Sequence, residues 1–180
     1  MTNSFFETYH SDALSSFRNA KKLAERAIEQ VSDEEFFATI DEEANSIALI
    51  VKHVAGNLRS RWTDFLTTDG EKPDRDRDTE FEVIADTRES LMQFWEDGWQ
   101  ILFDSLEPLT EEDFSKTVTI RSEPHSIVEA INRQLTHYSY HVGQIVLLAK
   151  HFRSNEWKTL SIAKNRSADF NREKSGISKA

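Results

Sequence analysis

The chain contains no cysteine, so it has no disulfides, no thiolate metal ligands and no catalytic thiol of its own. Any sulfur chemistry would therefore need a thiol supplied by a small molecule. Glycine and proline are scarce, at 5 and 3 of 180 residues, which argues against a fold built from many tight turns and favours long helices. Long apolar runs are also missing. The longest, Ile47–Val51 and Ile145–Ala149, are far short of a membrane span, and no basic region leads into an apolar stretch near Met1. Basic charge is outweighed, with 22 Lys and Arg against 32 Asp and Glu for a net charge of −10. No basic patch stands out, so neither a nucleic-acid backbone nor an anionic lipid surface is an expected partner. A cytoplasmic protein acting on a small molecule is the expectation, and 180 residues suffice for one core without a metal or disulfide to hold it.

What is present has the helical period. Ser4-Phe-Phe-Glu7 forms a capping-box pattern, and Phe5, Tyr9, Leu14, Phe17, Leu23, Ala27 and Ile28 follow at helical spacing up to Val31. Ser32-Asp-Glu-Glu35 repeats the signal before a short turn. Asn45 or Ser46 caps a second long helix through Ile47, Ile50, Val54, Leu58 and Trp62, with His53 beside the stripe. Residues 67–78 are polar and read as a long surface connection. Asp86-Thr-Arg-Glu89 opens a third helix with the aromatic face Phe94, Trp95, Trp99 and Phe103, and Thr117-Val-Thr-Ile120 reads as a short strand or extended segment. Ser126-Ile-Val-Glu129 opens the last long helix, which carries Ile127, Ile131, Leu135, Tyr138, Val142 and Ile145. The expected fold is all-α, a four-helix bundle with a long crossover between its second and third helices. One domain over residues 1–171 and a disordered tail over 172–180 complete the expectation.

Six histidines are present, and two of them, His137 and His141, lie four apart on the last helix, where their side chains stand one above the other. Two such nitrogens and a third from a facing helix make a three-ligand metal site with open positions. His53 is the best third candidate, because His10, His125 and His151 lie near helix ends or before a cap. Taken alone, a His pair at this spacing is more often hydrogen-bonded structure or surface than a metal site. Tyr138-Ser139-Tyr140 fills the interval, so the pair lacks the carboxylate of a zincin motif. Gln134 and Gln144 flank the pair and could orient an imidazole, the edge-satisfying amide being the simpler reading for Gln134. Asn57 could line the same cavity. Arg59, Arg61 and Asp64 read as a solvated helix end.

The stretches from Asn45 to Leu66, containing Lys52-His53-Val54, and from Glu129 to Ile145, containing His137-Tyr-Ser-Tyr-His141, resemble the DinB/YfiT-like superfamily of metal-dependent four-helix-bundle proteins. The resemblance runs from the first helix to Leu160-Ser-Ile162 and Asp169-Phe-Asn171, nearly the whole chain, and is nearest to a subgroup of about this length without assigned function. It implies a divalent metal held by His53, His137 and His141, with Zn or Ni first and Mn, Fe or Co also compatible. Bacillithiol transferases and mycothiol-dependent maleylpyruvate isomerase belong to the same superfamily, which implies a low-molecular-weight thiol such as bacillithiol as co-substrate. Three neutral imidazoles leave the cation its full charge, so a thiol there would favour its nucleophilic thiolate form. A thiol S-transferase is the leading expectation. A metal-dependent hydrolase, and a non-catalytic metal- or ligand-binding bundle that dimerises through its aromatic faces, are the alternatives. Beyond the three ligands, neither catalytic nor cofactor-binding residues are assigned.

Overall fold

The computed structural model describes residues 4–82 and 85–174, and it is mostly helical. Four long helices carry the core: α1 (Phe5–Ile28), α3 (Ile47–Trp62), α4 (Arg88–Leu106) and α5 (Ile127–Arg153). A short α2 (Asp33–Phe37) follows α1, and α6 (Ser167–Lys174) ends the described chain. Each long helix begins where a side-chain oxygen takes up a free N–H of the first turn. Ser4, Ser32 and Ser126 close capping boxes with Glu7, Glu35 and Glu129, while Ser46 alone caps α3. At α4 the cap is Thr87, and its reciprocal partner is Ser90. The expected Asp86 start is thus displaced by one residue. Asp86 instead pairs with Lys52 of α3 at 2.8 Å.

The core is aromatic at its centre. Phe17 of α1, Trp62 of α3, Trp99 of α4 and Tyr138 of α5 are all fully buried and meet at ring separations of 5.6 to 6.3 Å. One large ring from each long helix therefore fills the middle of the molecule, where edge-to-face packing adds to the area removed from water. Helices α3 and α4 can approach closely because Gly98 presents no side chain. A Cβ there would lie 3.1 Å from Leu58 Cβ and 3.2 Å from the Ala55 carbonyl.

Two features depart from the expected layout while leaving the chain mostly helical. Strand β1 (Thr117–Ile120) pairs antiparallel with β2 (Glu123–Ser126), so the extended segment is half of a hairpin. Its two-residue loop, Arg121-Ser122, has positive φ at both positions (56° and 62°), the geometry hairpins ordinarily give to Asn or Gly. Asp69 supports that turn from outside. Its carboxylate accepts the Arg121 and Ser122 N–H groups at 2.8 and 2.7 Å, and Gly70 N–H donates to the Thr119 carbonyl at 2.7 Å. The second departure is at the C-terminal side, where residues 172–174, expected in a disordered tail, belong to α6. Residues 175–180 of that tail lie outside the described residues. Among the described residues no helix is long and apolar enough to cross a membrane.

The connection from α3 to α4 runs over the surface as its composition suggests, with Thr67, Thr68, Pro73, Asp74, Asp76, Arg77 and Asp78 exposed, but it is pinned to α3 at a few buried points. Gly70 and Glu80 are buried, and the Arg75 side chain is only 5% exposed. Arg61 is buried too, at 4% exposure, instead of lying on a solvated helix end. Its guanidinium donates to the Gly70 carbonyl and to Glu71. Burial holds the Arg61 pKa below its ordinary value against the opposing pull of Glu71. The polar sequence 69–82 is therefore folded onto α3 by a network of buried charges.

Candidate metal centre

His53 sits on α3, and His137 and His141 sit one turn apart on α5. The packing of these two helices brings the three rings together, with centroids 4.6 to 5.4 Å apart. His137 Nε2 lies 3.3 Å from His53 Nε2 and 3.1 Å from His141 Nε2. Each residue offers a ligand atom within 4.8 Å of the other two. Among the described residues the cluster contains no carboxylate. His10, His125 and His151 are elsewhere: His10 Nε2 is 2.8 Å from the Leu106 carbonyl, and His125 Nδ1 is 2.9 Å from the Glu123 carbonyl.

The outer nitrogens decide which way the rings are protonated. His53 Nδ1 lies 2.8 Å from Glu80 Oε2, and an ionised carboxylate only accepts, so Nδ1 carries the proton. His141 Nδ1 lies 2.8 Å from Gln144 Oε1, whose own Nε2 donates to the Tyr140 hydroxyl at 3.2 Å. With that amide orientation His141 Nδ1 is again the donor. Both rings, when neutral, then aim bare Nε2 lone pairs at His137 Nε2. One N–H on His137 can satisfy only one of them, and three lone pairs otherwise converge. A divalent cation accepts all three. Two ligands about 2.0–2.1 Å from a tetrahedral ion lie roughly 3.3 Å from each other, close to the spacing of the two pairs that share His137. The donor set thus fits a metal.

Electrostatics point the same way. Burial, and then the neighbouring His141 and His53, push the His137 pKa down to about 3, and burial lowers that of His141. Both are held neutral at ordinary pH, the form that ligates. Glu80 is pushed up by burial, but hydrogen bonds from His53 and Arg75 and the Arg75 charge outweigh it and hold the carboxyl below its usual range. Arg75 grips that carboxylate with Nε on Oε1 at 2.7 Å and Nη2 on Oε2 at 2.9 Å. Phe81, the next residue, stacks on the His53 ring at 5.3 Å.

All three expected ligands are therefore brought together, and Gln144 orients one of them. Asn57 is not a lining group of the centre. It accepts from the Tyr138 hydroxyl at 3.1 Å, and that oxygen in turn accepts from Trp62 Nε1 at 3.1 Å, so the amide belongs to the aromatic core. Gln134 is buried and its Oε1 has no hydrogen-bond partner, as is also true of His137 Nδ1 one turn away. Glu80 and Arg75 escaped the sequence reading. The signal present was weak: an Arg-x4-Glu spacing inside a run of alternating charges, with a single Phe behind it.

A cavity of about 640 Å³ lies beside the centre, between α3 and the connection, and Gly56, Arg75 and Glu80 contribute to its wall while none of the three histidines does. It flanks the groups that support His53 and not the converging nitrogens. Neither a curated protein nor a solved structure matches the chain. A family model does, over residues 4–166, which take in all four long helices and all three histidines. The chain belongs to the family described as Protein of unknown function (DUF1572).

Proposed function

We propose that this protein is a divalent-metal-binding four-helix bundle of the DinB/YfiT-like type, that His53, His137 and His141 are its ligands, and that it acts as a thiol-dependent S-transferase. The observation that carries the metal reading is the convergence of three imidazole Nε2 atoms, with the outer nitrogens of two rings already committed to acceptors. When bound, a divalent cation would supply Lewis acidity that polarises a thiol or water for attack. The chain's own part is to hold three neutral imidazoles toward one point and to keep His53 and His141 in one tautomer.

A thiol is favoured over water as nucleophile by what surrounds the centre. Activation of water is helped by a nearby general base, and the nearest carboxylate identified, Glu80, is occupied by His53 and the Arg75 fork. A coordinated thiol loses its proton far more readily and needs less help. With no cysteine in the chain, that thiol comes from a small co-substrate.

The test has two stages. Protein purified without an affinity tag is assayed for metal by plasma mass spectrometry, as wild type and as His53→Ala, His137→Ala and His141→Ala. Near-stoichiometric metal in wild type and its loss from all three folded variants is expected. A wild type that carries none and takes up none on addition sinks the metal reading. The loaded protein is then given a panel of low-molecular-weight thiols with a chromogenic electrophile. Thiol-dependent product formation that disappears on chelation is expected, and ester or amide hydrolysis without thiol would replace the transferase reading.

A further inference from the structure

We propose that Glu80 is a positioning residue for His53, and that residues 75–82 form a strap whose ordering is linked to metal binding at the three histidines. The proposal rests on the metal reading above and adds to it the part played by the connection between α3 and α4.

Three contacts define the strap. Glu80 Oε2 takes the His53 Nδ1–H at 2.8 Å, fixing the tautomer that leaves Nε2 free and making that nitrogen a better donor to a cation. Arg75 fixes the carboxylate in turn through both oxygens, so the acceptor cannot rotate away from the ring. Phe81 covers the outer face of the same ring. The carboxylate rests against α3 at Gly56, where any Cβ would overlap Glu80 Oε1. That position requires glycine for close approach, although glycine in the middle of a helix is otherwise unfavourable. Glu80 is not itself placed as a fourth ligand. Both of its oxygens are engaged, and it lies on the Nδ1 side of His53, away from the converging Nε2 atoms.

The only regular structure within this segment is one 3₁₀ turn over Asp78–Phe81. Its order therefore depends on a few anchors: the bonds that Arg75 and Glu80 make, the Asp76 carboxylate accepting from the Asp78 and Thr79 N–H groups, and Lys52 Nζ donating to the Glu82 carbonyl at 2.7 Å. If an ordered strap strengthens His53 as a ligand, a metal ion must by reciprocity favour the ordered strap by the same factor. The centre and the connection then behave as one unit, with the carboxylate as the link.

The experiment measures zinc affinity by chelator competition, and hydrogen exchange of peptides covering residues 75–82, for wild type, Glu80→Gln and Gly56→Ala. Glu80→Gln keeps an acceptor of the same shape but loses the charge. Gly56→Ala keeps every charged group in the chain and favours the helix, but its Cβ pushes the Glu80 carboxylate away from α3, so it tests the position of that carboxylate with the charge retained. The two variants are expected to bind zinc about 10- to 100-fold more weakly. In wild type zinc should slow exchange in residues 75–82, and in the variants this protection should shrink. The visible spectrum of the cobalt(II)-loaded protein should shift in Glu80→Gln even where thermal stability of the metal-free form is unchanged, which a purely structural role would not produce. Wild-type affinity in both variants, or zinc binding that leaves exchange in the strap unaltered, would overturn the proposal while leaving the metal site standing. Failure of wild type to bind zinc, cobalt or nickel would overturn both.

Discussion

Helix α3 faces two interiors of opposite character. Toward α1, α4 and α5 it presents Val51, Val54, Leu58 and Trp62, all essentially inaccessible, in a core whose largest members are rings. Toward the connection it presents Lys52, His53, Gly56 and Ser60, and what meets them is charged or polar: Asp86, Glu80 and the Gly70 carbonyl. The apolar interior gains stability from any well-packed hydrophobic side chain of suitable volume, and it tolerates imprecision in direction. The polar interior has no such tolerance, because each buried charge must find its partner at the right distance or cost several kcal/mol. A protein that has to aim an imidazole uses the second kind of interior beside that imidazole and leaves the first to hold the fold together.

The comparison breaks most severely at Trp62. Trp62→Ala removes the α3 member of the central ring cluster and the N–H that donates to Tyr138, and should lower unfolding free energy by about 3–5 kcal/mol in urea titrations followed by circular dichroism. A loss under 1 kcal/mol would show that the core is not organised around these rings. On the polar side, Arg75→Met should cost about 3 kcal/mol, because it strips a buried carboxylate of its fork. The double variant Arg75→Met with Glu80→Leu should lose much less than the two single losses combined, since the orphaned charge is gone. Additivity within about 0.5 kcal/mol in that cycle would mean that the pair is not coupled.

Where the two interiors touch, the effect is intermediate. The Tyr138 hydroxyl sits among the rings yet joins Trp62 Nε1 to Asn57, and burial raises its pKa above the ordinary phenol value. Tyr138→Phe leaves the ring in place and removes only the link, stranding a donor on Trp62 and an acceptor on Asn57. About 1–2 kcal/mol should be lost, with the metal content of the protein unchanged. If metal content falls along with stability, the hydroxyl serves the centre as well as the core.

This division also explains what could be read from the residues. Apolar periodicity and the serine and threonine caps placed the starts of the four long helices within about a residue, because the core responds to hydrophobic residues at i, i+3 and i+4, while the first helix ends at Ile28 and not at the expected Val31. The same periodicity set His53, His137 and His141 beside the stripe, spacing and position made His53 the best partner for the pair, and the family resemblance implied the same ligand set. The strap left no comparable mark. Arg75 and Glu80 look like solvated charges, since burial of an ion pair depends on partners brought together by the fold and not on neighbours in the chain. The hairpin was half visible for a related reason. Thr117–Ile120 has strand composition, but Glu123-Pro-His-Ser126 does not, and its turn uses Arg121 and Ser122 in place of the usual Asn-Gly.

The smallest expected effect lies at that turn and sharpens the comparison at its edge. Three backbone N–H groups, from Glu71, Arg121 and Ser122, converge on Asp69. Burial would raise its pKa, but these bonds and the Arg61 charge outweigh it, and the carboxyl lies below its ordinary 3.8. A folded pKa below the unfolded one gives stability that is present above pH 4 and is lost as the pH falls through the unfolded and then the folded value. Asp69→Asn removes this contribution, because the amide can accept through one oxygen while its NH₂ faces a backbone donor. The variant should unfold at a slightly lower temperature at pH 7, by less than Tyr138→Phe, and the gap from wild type should narrow as the pH is taken from 5 toward 3. A gap that stays constant over that range would mean that Asp69 holds the turn by shape alone, and that the negative charge at the edge of the polar interior plays no part in keeping two non-glycine residues at positive φ.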